Sequence, residues 1–235
     1  MNKEQLDNYT DFAKNRLKIN FSDTNLLITA LTHRSYVNEH KKSATAHNER
    51  LEFLGDAVLE LVSTDYLFNN YPDQPEGILT NWRAALVRTE SIAAAAELLG
   101  FLPLIRMSKG EKRGSARAHQ VIMADAFEAV IGAIYLDQGY PAAANFINQN
   151  ILSKMQTILS EGSWRDPKSH LQELAQRSDG TTPAYKVLSE EGPDHDKTFT
   201  LGVYIGGKLK GTGTGHSKQE AQTIAAQQAI KKYNK

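Results

Sequence analysis

Three acidic side chains, Glu49, Glu52 and Asp56, fall within Asn48-Glu49-Arg50-Leu51-Glu52-Phe53-Leu54-Gly55-Asp56-Ala57-Val58-Leu59. Their spacing of i, i+3 and i+7 puts all three on one face of a helix. Like charges on successive turns repel, by roughly a few tenths of a kcal/mol per pair in water and by far more when buried. A second pair, Asp125 and Glu128, stands one turn apart in the strongly apolar run Met123-Ala124-Asp125-Ala126-Phe127-Glu128-Ala129-Val130-Ile131-Gly132. Carboxylates directed into a helix contact need cations or other partners, and an oxygen-only donor set suits Mg²⁺ or Mn²⁺. Helix bundles build metal sites in this way, with carboxylates from facing helices. The residues alone leave a second reading open, in which these acids line a solvated face or pair with Arg50, Arg83 and Arg88.

The elements that must position these groups are helical. Apolar residues recur at helical spacing in Leu26-Leu27-Ala30-Leu31, in Leu51-Leu54-Val58-Leu61-Val62 and in Leu79-Trp82-Leu86-Val87. Breakers separate such runs at Asn69-Asn70-Tyr71-Pro72, Leu99-Gly100, Lys109-Gly110 and Gln138-Gly139-Tyr140-Pro141. The character changes after Ser160-Glu161-Gly162-Ser163. Asp166 as N-cap with Pro167 at the first helical position predicts a helix over Pro167–Arg177. Three strands follow, at Tyr185–Leu188, Thr198–Tyr204 and Lys208–Thr212, with turns at Gly192-Pro193 and Gly206-Gly207. A last helix, rich in Ala and Gln, runs over Ser217–Lys231. The expected architecture is an all-α domain at 1–159, a linker at 160–165 and a small α+β domain of order α-β-β-β-α at 166–235.

Composition narrows the classes. The 235 residues contain no cysteine, which removes disulfides and thiolate metal sites. No run of about 20 uninterrupted apolar residues is present, and the polar start from Met1 to Tyr9 lacks a basic-then-apolar leader pattern. A cytoplasmic protein with no membrane partner is expected. The net charge is zero, but it divides: from Trp164 onward there are 11 basic against 8 acidic residues, and before it 16 against 19. A more basic C-terminal part suits contact with phosphates.

The segment Asn48–Leu59 resembles the signature of the ribonuclease III family at essentially every position. Leu31-Thr32-His33-Arg34-Ser35 and Asp125–Gly132 resemble two further family segments, in the right order along the chain. The resemblance implies an endoribonuclease that hydrolyses double-stranded RNA with Mg²⁺, for which Mn²⁺ substitutes. It makes Glu52, Asp56, Asp125 and Glu128 both the catalytic residues and the metal ligands. Glu128 corresponds to the most critical ligand, while Glu49 and Glu76 correspond to two further acidic positions. It implies a homodimer that leaves 5′-phosphate and 3′-hydroxyl ends with short 3′ overhangs, acting on ribosomal RNA precursors and some messages. Phe53 matches a position tied to the subunit contact and reads equally well as a core aromatic. His33 reads as a structural packing residue.

From Asp166 onward the chain resembles the double-stranded RNA-binding domain, which reads A-form shape across two minor grooves and the phosphates between them. The resemblance assigns Gln172 and Glu173 to one minor groove and His195 to the other. Ser217 and Lys218, at a helix N-terminus, would take phosphate. One departure stands out: Gln219 and Gln222 occupy positions where relatives carry lysine, which implies weaker and less salt-sensitive binding. Two rival classes are a non-cleaving RNA-binding relative, which would lack a carboxylate, and a di-iron bundle, which would show Glu-x-x-His pairs. The four acidic positions are all filled, and the pairs read Glu-x-x-Glu and Asp-x-x-Glu.

Overall fold

The computed structural model describes residues 3–41, 46–162, 164–193 and 197–233. The chain forms two compact units, Met1–Trp164 and Arg165–Lys235. Within the first unit the described elements are helical: α1 (Lys3–Phe12), α2 (Thr24–Ala30), α3 (Arg34–Glu39), α4 (Glu49–Asn70), α5 (Glu76–Val87), α6 (Thr89–Leu99), α7 (Lys109–Lys112), α8 (Ala116–Asn150) and α9 (Met155–Glu161). The second unit runs α10 (Pro167–Asp179), β1 (Ala184–Glu191), β2 (Thr198–Ile205), β3 (Lys208–Gly215) and α11 (Lys218–Tyr233).

Helix α8 is the axis of the first unit. Its residues Ile122 to Ala124, Ala126, Phe127 and Ala129 to Ile134 are all buried. The rings of Phe12, Phe101, Phe127 and Phe146 pack in succession with centroids 5.5, 5.7 and 5.3 Å apart. By length and hydropathy the stretch from Ala116 would pass for a membrane span, but most of it is covered by neighbouring helices, as the central helix of a folded core is. The break expected at Gln138–Pro141 takes the form of a kink, with Gly139 at φ 79° and Pro141 just beyond it. In the segment 160–165, Ser160 and Glu161 continue α9, and Trp164 sets its ring edge-on to Trp82 at 5.9 Å.

Helix α4 lies against α8 with no side chains between them at the crossing point. A Cβ added to Gly55 would stand 1.8 Å from the Glu128 carbonyl oxygen, and one added to Gly132 would stand 2.3 Å from the Leu51 carbonyl oxygen. Glycine inside a helix costs about 1 kcal/mol relative to alanine. Here it admits a backbone-to-backbone approach that alanine would block.

In the second unit three antiparallel strands pair in the order β1-β2-β3. Asp166 Oδ1 accepts from the Ser169 amide at 2.9 Å, and Pro167 opens α10, as the sequence predicts. Strand β3 presents Gly211, Gly213 and Gly215 to α11; a Cβ on Gly211 would meet the Ala225 carbonyl at 2.4 Å. Small residues on both elements let helix and sheet pack closely over Leu171, Val203 and Ile205, with Ala225, Ala226 and Ala229.

Candidate active site and RNA-binding surface

The α4–α8 crossing assembles the acidic residues. Glu52 sits one turn before Gly55 and Asp56 one residue after it, while Glu128 lies one turn before Gly132 and Asp125 one turn earlier still. Contact between Gly55 and the Glu128 backbone brings the two pairs to the same place. Glu52, Asp125 and Glu128 are half-buried and Asp56 is exposed.

Electrostatics report the same convergence. Desolvation, then the charges of Asp56, Glu52 and Asp125, push the Glu128 carboxyl up to about 8. Burial likewise raises Glu52, with Asp125, Glu49 and Asp56 adding to the effect. Asp125 is raised by burial, opposed by His33. Among the described residues no Lys or Arg lies within salt-bridge distance of these four groups. Arg83 instead pairs with Glu60 at 2.9 Å. Among the described residues no three acidic or His side chains stand close enough together to hold a metal ion in this conformation. A partly desolvated cluster of carboxylates with no cationic side chain fits a divalent ion in charge and in donor type.

Two further positions divide. Glu49 belongs to the cluster's rim: it adds to the negative field at Glu52 and Asp125, and its Oε1 accepts from Arg34 Nη1 at 3.4 Å. Glu76 opens α5, where its Oε1 accepts from Thr80 Oγ1 at 2.9 Å. It lines a groove of about 500 Å³ with Phe68, Leu79 and Arg83. Phe53 is 82% exposed, so it is not a core aromatic.

His33 lies within electrostatic reach of Asp125 and Glu49. Its Nδ1 lies 3.4 Å from the Ser35 amide nitrogen and 2.8 Å from Ser35 Oγ. Burial lowers its pKa against the pull of Glu111, Asp125 and Glu49. The backbone explains its place: Arg106 N donates to the Leu31 carbonyl at 2.7 Å, His33 N to the Arg106 carbonyl at 2.9 Å, and Asn48 N to the Thr32 carbonyl at 2.9 Å. The first two bonds tie the Leu31–Ser35 segment to Arg106, and the third ties it to the start of α4. Only the Leu31–Ser35 motif hinted at this placement.

On the second unit, Gln172 and Glu173 project from the exposed face of α10, and His195 lies outside the described residues. Ser217 Oγ accepts from the Glu220 amide at 3.1 Å, and Glu220 Oε2 accepts from the His216 amide at 2.8 Å. This reciprocal cap fixes the start of α11. Lys218 is exposed, with its Nζ 2.8 Å from Glu190 Oε1 and 5.4 Å from the Phe199 ring centroid. The Lys218 hydrogen bond holds the Glu190 carboxyl below its usual range. Nothing in the sequence pointed to Glu190.

Comparison with known proteins agrees with both halves. Residues 23–155 match the Ribonuclease-III-like family and residues 167–233 the double-stranded RNA binding motif. Ribonuclease 3 of Desulforamulus reducens is 44% identical over 224 residues, covering 95% of this chain and 91% of that protein. Ribonuclease 3 of Streptococcus pneumoniae strain P1031 is 46% identical over 219 residues, covering 93% of this chain and 94% of the relative. The nuclease domain of ribonuclease III from Campylobacter jejuni superposes with a TM-score of 0.53 at 42% identity, covering 63% of this chain and 98% of that domain. With the acidic crossing in one unit and the RNA-binding fold in the other, the chain belongs to the ribonuclease III family, as an endoribonuclease of double-stranded RNA.

Proposed function

We propose that the chain cleaves double-stranded RNA by metal-assisted hydrolysis at the α4–α8 crossing, leaving 5′-phosphate and 3′-hydroxyl ends with short 3′ overhangs. One observation carries the reading: Glu128 is pushed up to about 8 among Glu52, Asp56 and Asp125, with no Lys or Arg paired to them among the described residues. Such a cluster is relieved by a divalent cation, and Mg²⁺ (with Mn²⁺ in its place) suits carboxylate oxygens.

The four carboxylates would hold the ion, which supplies neutralisation of the phosphodiester and a lowered pKa for a bound water. Glu52 and Asp56 present oxygens from α4, and Asp125 and Glu128 present theirs from α8. The backbone contact at Gly55 and Gly132 keeps that geometry stiff, so little reorganisation accompanies the reaction. His33, whose burial favours the neutral ring, adds an imidazole within reach of Asp125. Gln172, Glu173, Ser217 and Lys218, with His195, would place the duplex by its minor grooves and phosphates.

The exposed Phe53, together with Leu61 and Phe68 farther along α4, supports a homodimer joined through that helix. Each subunit would then supply one cleavage centre. Glu49 and Glu76 would serve the scissile region from outside the four-carboxylate set. Processing of ribosomal RNA precursors and of some messages, in the cytoplasm, is the cellular role this reading assigns.

The test incubates long double-stranded RNA with Mg²⁺ and either the unaltered protein or Glu128→Gln. Cleavage to 5′-phosphorylated fragments by the former, and binding without cleavage by the latter, is the expected pair of results. An intact substrate after incubation with the unaltered protein would sink the reading.

A further inference from the structure

The cation that the RNA-binding fold offers to phosphate is already engaged by a carboxylate of the same unit. Strand pairing aligns Glu190 with Phe199 and Phe199 with Gly215, so these three positions share one face of the sheet. Gly215 has no side chain to cover the ring, and Lys218 from the start of α11 places its ammonium above Phe199. That path ends at Glu190, whose Oε1 is 2.8 Å from Lys218 Nζ. Its other oxygen, Oε2, lies 3.9 Å from Lys197 Nζ, on the loop between β1 and β2. One carboxylate thus sits between a lysine of the α11 terminus and a lysine of the β1–β2 loop.

We propose that Glu190 acts as an internal phosphate mimic, a latch that occupies Lys218 until an RNA phosphate displaces it. The proposal rests on the reading of this unit as the double-stranded-RNA-binding part. Three features favour competition over simple positioning. Lys218 is the only basic residue of α11 before Lys231, because Gln219 and Gln222 are neutral, so it has no neighbour on that helix to share the carboxylate with. The α11 start is fixed independently by the Ser217–Glu220 cap, so Glu190 is not needed to build the helix terminus. And a carboxylate beside a phosphate-facing cation repels an approaching backbone in proportion to its charge, an effect that survives even where the ion pair itself adds little to stability. The latch would lower affinity for any duplex that cannot make enough other contacts to displace it.

The experiment measures binding of the full chain in EDTA to a duplex of about 30 bp, long enough for a footprint of ~16 bp. Four proteins are compared: the unaltered chain, Glu190→Gln, Lys218→Ala and the double variant. Glu190→Gln is expected to tighten binding roughly fivefold and to steepen the salt dependence by up to about one unit. In the Lys218→Ala background the same change should gain less than about twofold. Unchanged or weaker binding by Glu190→Gln overturns the latch, the weaker case meaning that Glu190 positions Lys218. An equal gain with and without Lys218 also overturns it, since only general charge is then at work. If the unaltered chain binds no duplex, the RNA-binding reading falls and the latch with it; binding without the expected gain sinks the latch alone. Thermal unfolding of each variant, expected to match the unaltered chain, separates these results from misfolding.

Discussion

Gly55 on α4 meets the main-chain carbonyl of Glu128 on α8 so closely that a single added methyl carbon would lie 1.8 Å from the oxygen. One glycine thereby fixes the separation of the two helices and sets Glu52 and Asp56 beside Asp125 and Glu128. The packing of the two helices and the placement of the four carboxylates depend on the same contact.

Gly55→Ala should therefore damage both. The clash is with backbone on a packed helix, so relief requires α4 and α8 to separate along much of their length. A loss of about 1–3 kcal/mol or more is expected, in the range of overpacked cores. Gly132→Ala, 2.3 Å from the Leu51 carbonyl, should behave alike. Denaturant unfolding measures the first effect, and cleavage at a temperature where the variant stays folded measures the second. An alanine variant with unchanged stability would contradict the close approach.

The metal-free protein should lose stability as pH rises. Folding lifts the Glu128 carboxyl from 4.5 to about 8, so between those values the unfolded chain has released a proton that the native chain retains. The group's stabilising contribution is complete below about 4.5 and gone above about 8. The slope is at most about 1.4 kcal/mol per pH unit, reached where the unfolded chain has lost the proton and the native chain keeps it, and solvent screening of the partly exposed group narrows the window over which it acts. Glu128→Gln should flatten this part of the profile. Added Mg²⁺ near pH 8 should raise the melting temperature of the unaltered protein more than that of the variant.

Phe53→Asp should leave the fold intact and weaken self-association. With 82% of the residue exposed, the helix loses almost no packing within the subunit. Removing an aromatic anchor from a buried interface centre costs about 2 kcal/mol or more, which is roughly thirtyfold or more in dissociation constant. Sedimentation analysis beside far-ultraviolet circular dichroism reads both quantities. Unaltered association would remove Phe53 from the interface.

Restoring charge to α11 should strengthen RNA binding in a salt-dependent way. Gln219 is exposed and Gln222 partly so, both near the α11 start. Lysine at both positions should steepen the logarithmic salt slope by up to ~2 units and tighten binding most at low salt. Titration with a duplex in EDTA at several salt concentrations checks this. A slope unchanged within error would show that the two side chains do not face phosphate.

Much of this protein was written locally. The i, i+3, i+7 spacing of Glu49, Glu52 and Asp56 needed only the pitch of a helix to share a face, and Asp166-Pro167 announced the start of α10 through a side chain bonding three residues ahead. The α-β-β-β-α order followed in the same way from alternation and turn residues. What the spacing could not carry was which helix meets that face and how closely. Gly55 reads as an ordinary small residue until Glu128, more than seventy positions later, packs its backbone on it. Phe53 could point inward or outward until α8 claimed the opposite side of α4, and the segment of His33 is held by backbone bonds to Arg106 and Asn48, both distant in sequence from Asp125. The bond between Lys218 and Glu190 likewise exists only once the strands pair in register. Hydrogen-bonding period acts over a few residues and leaves its mark in sequence, whereas burial, desolvation and charge coupling are set by distances between segments that only the folded chain brings together.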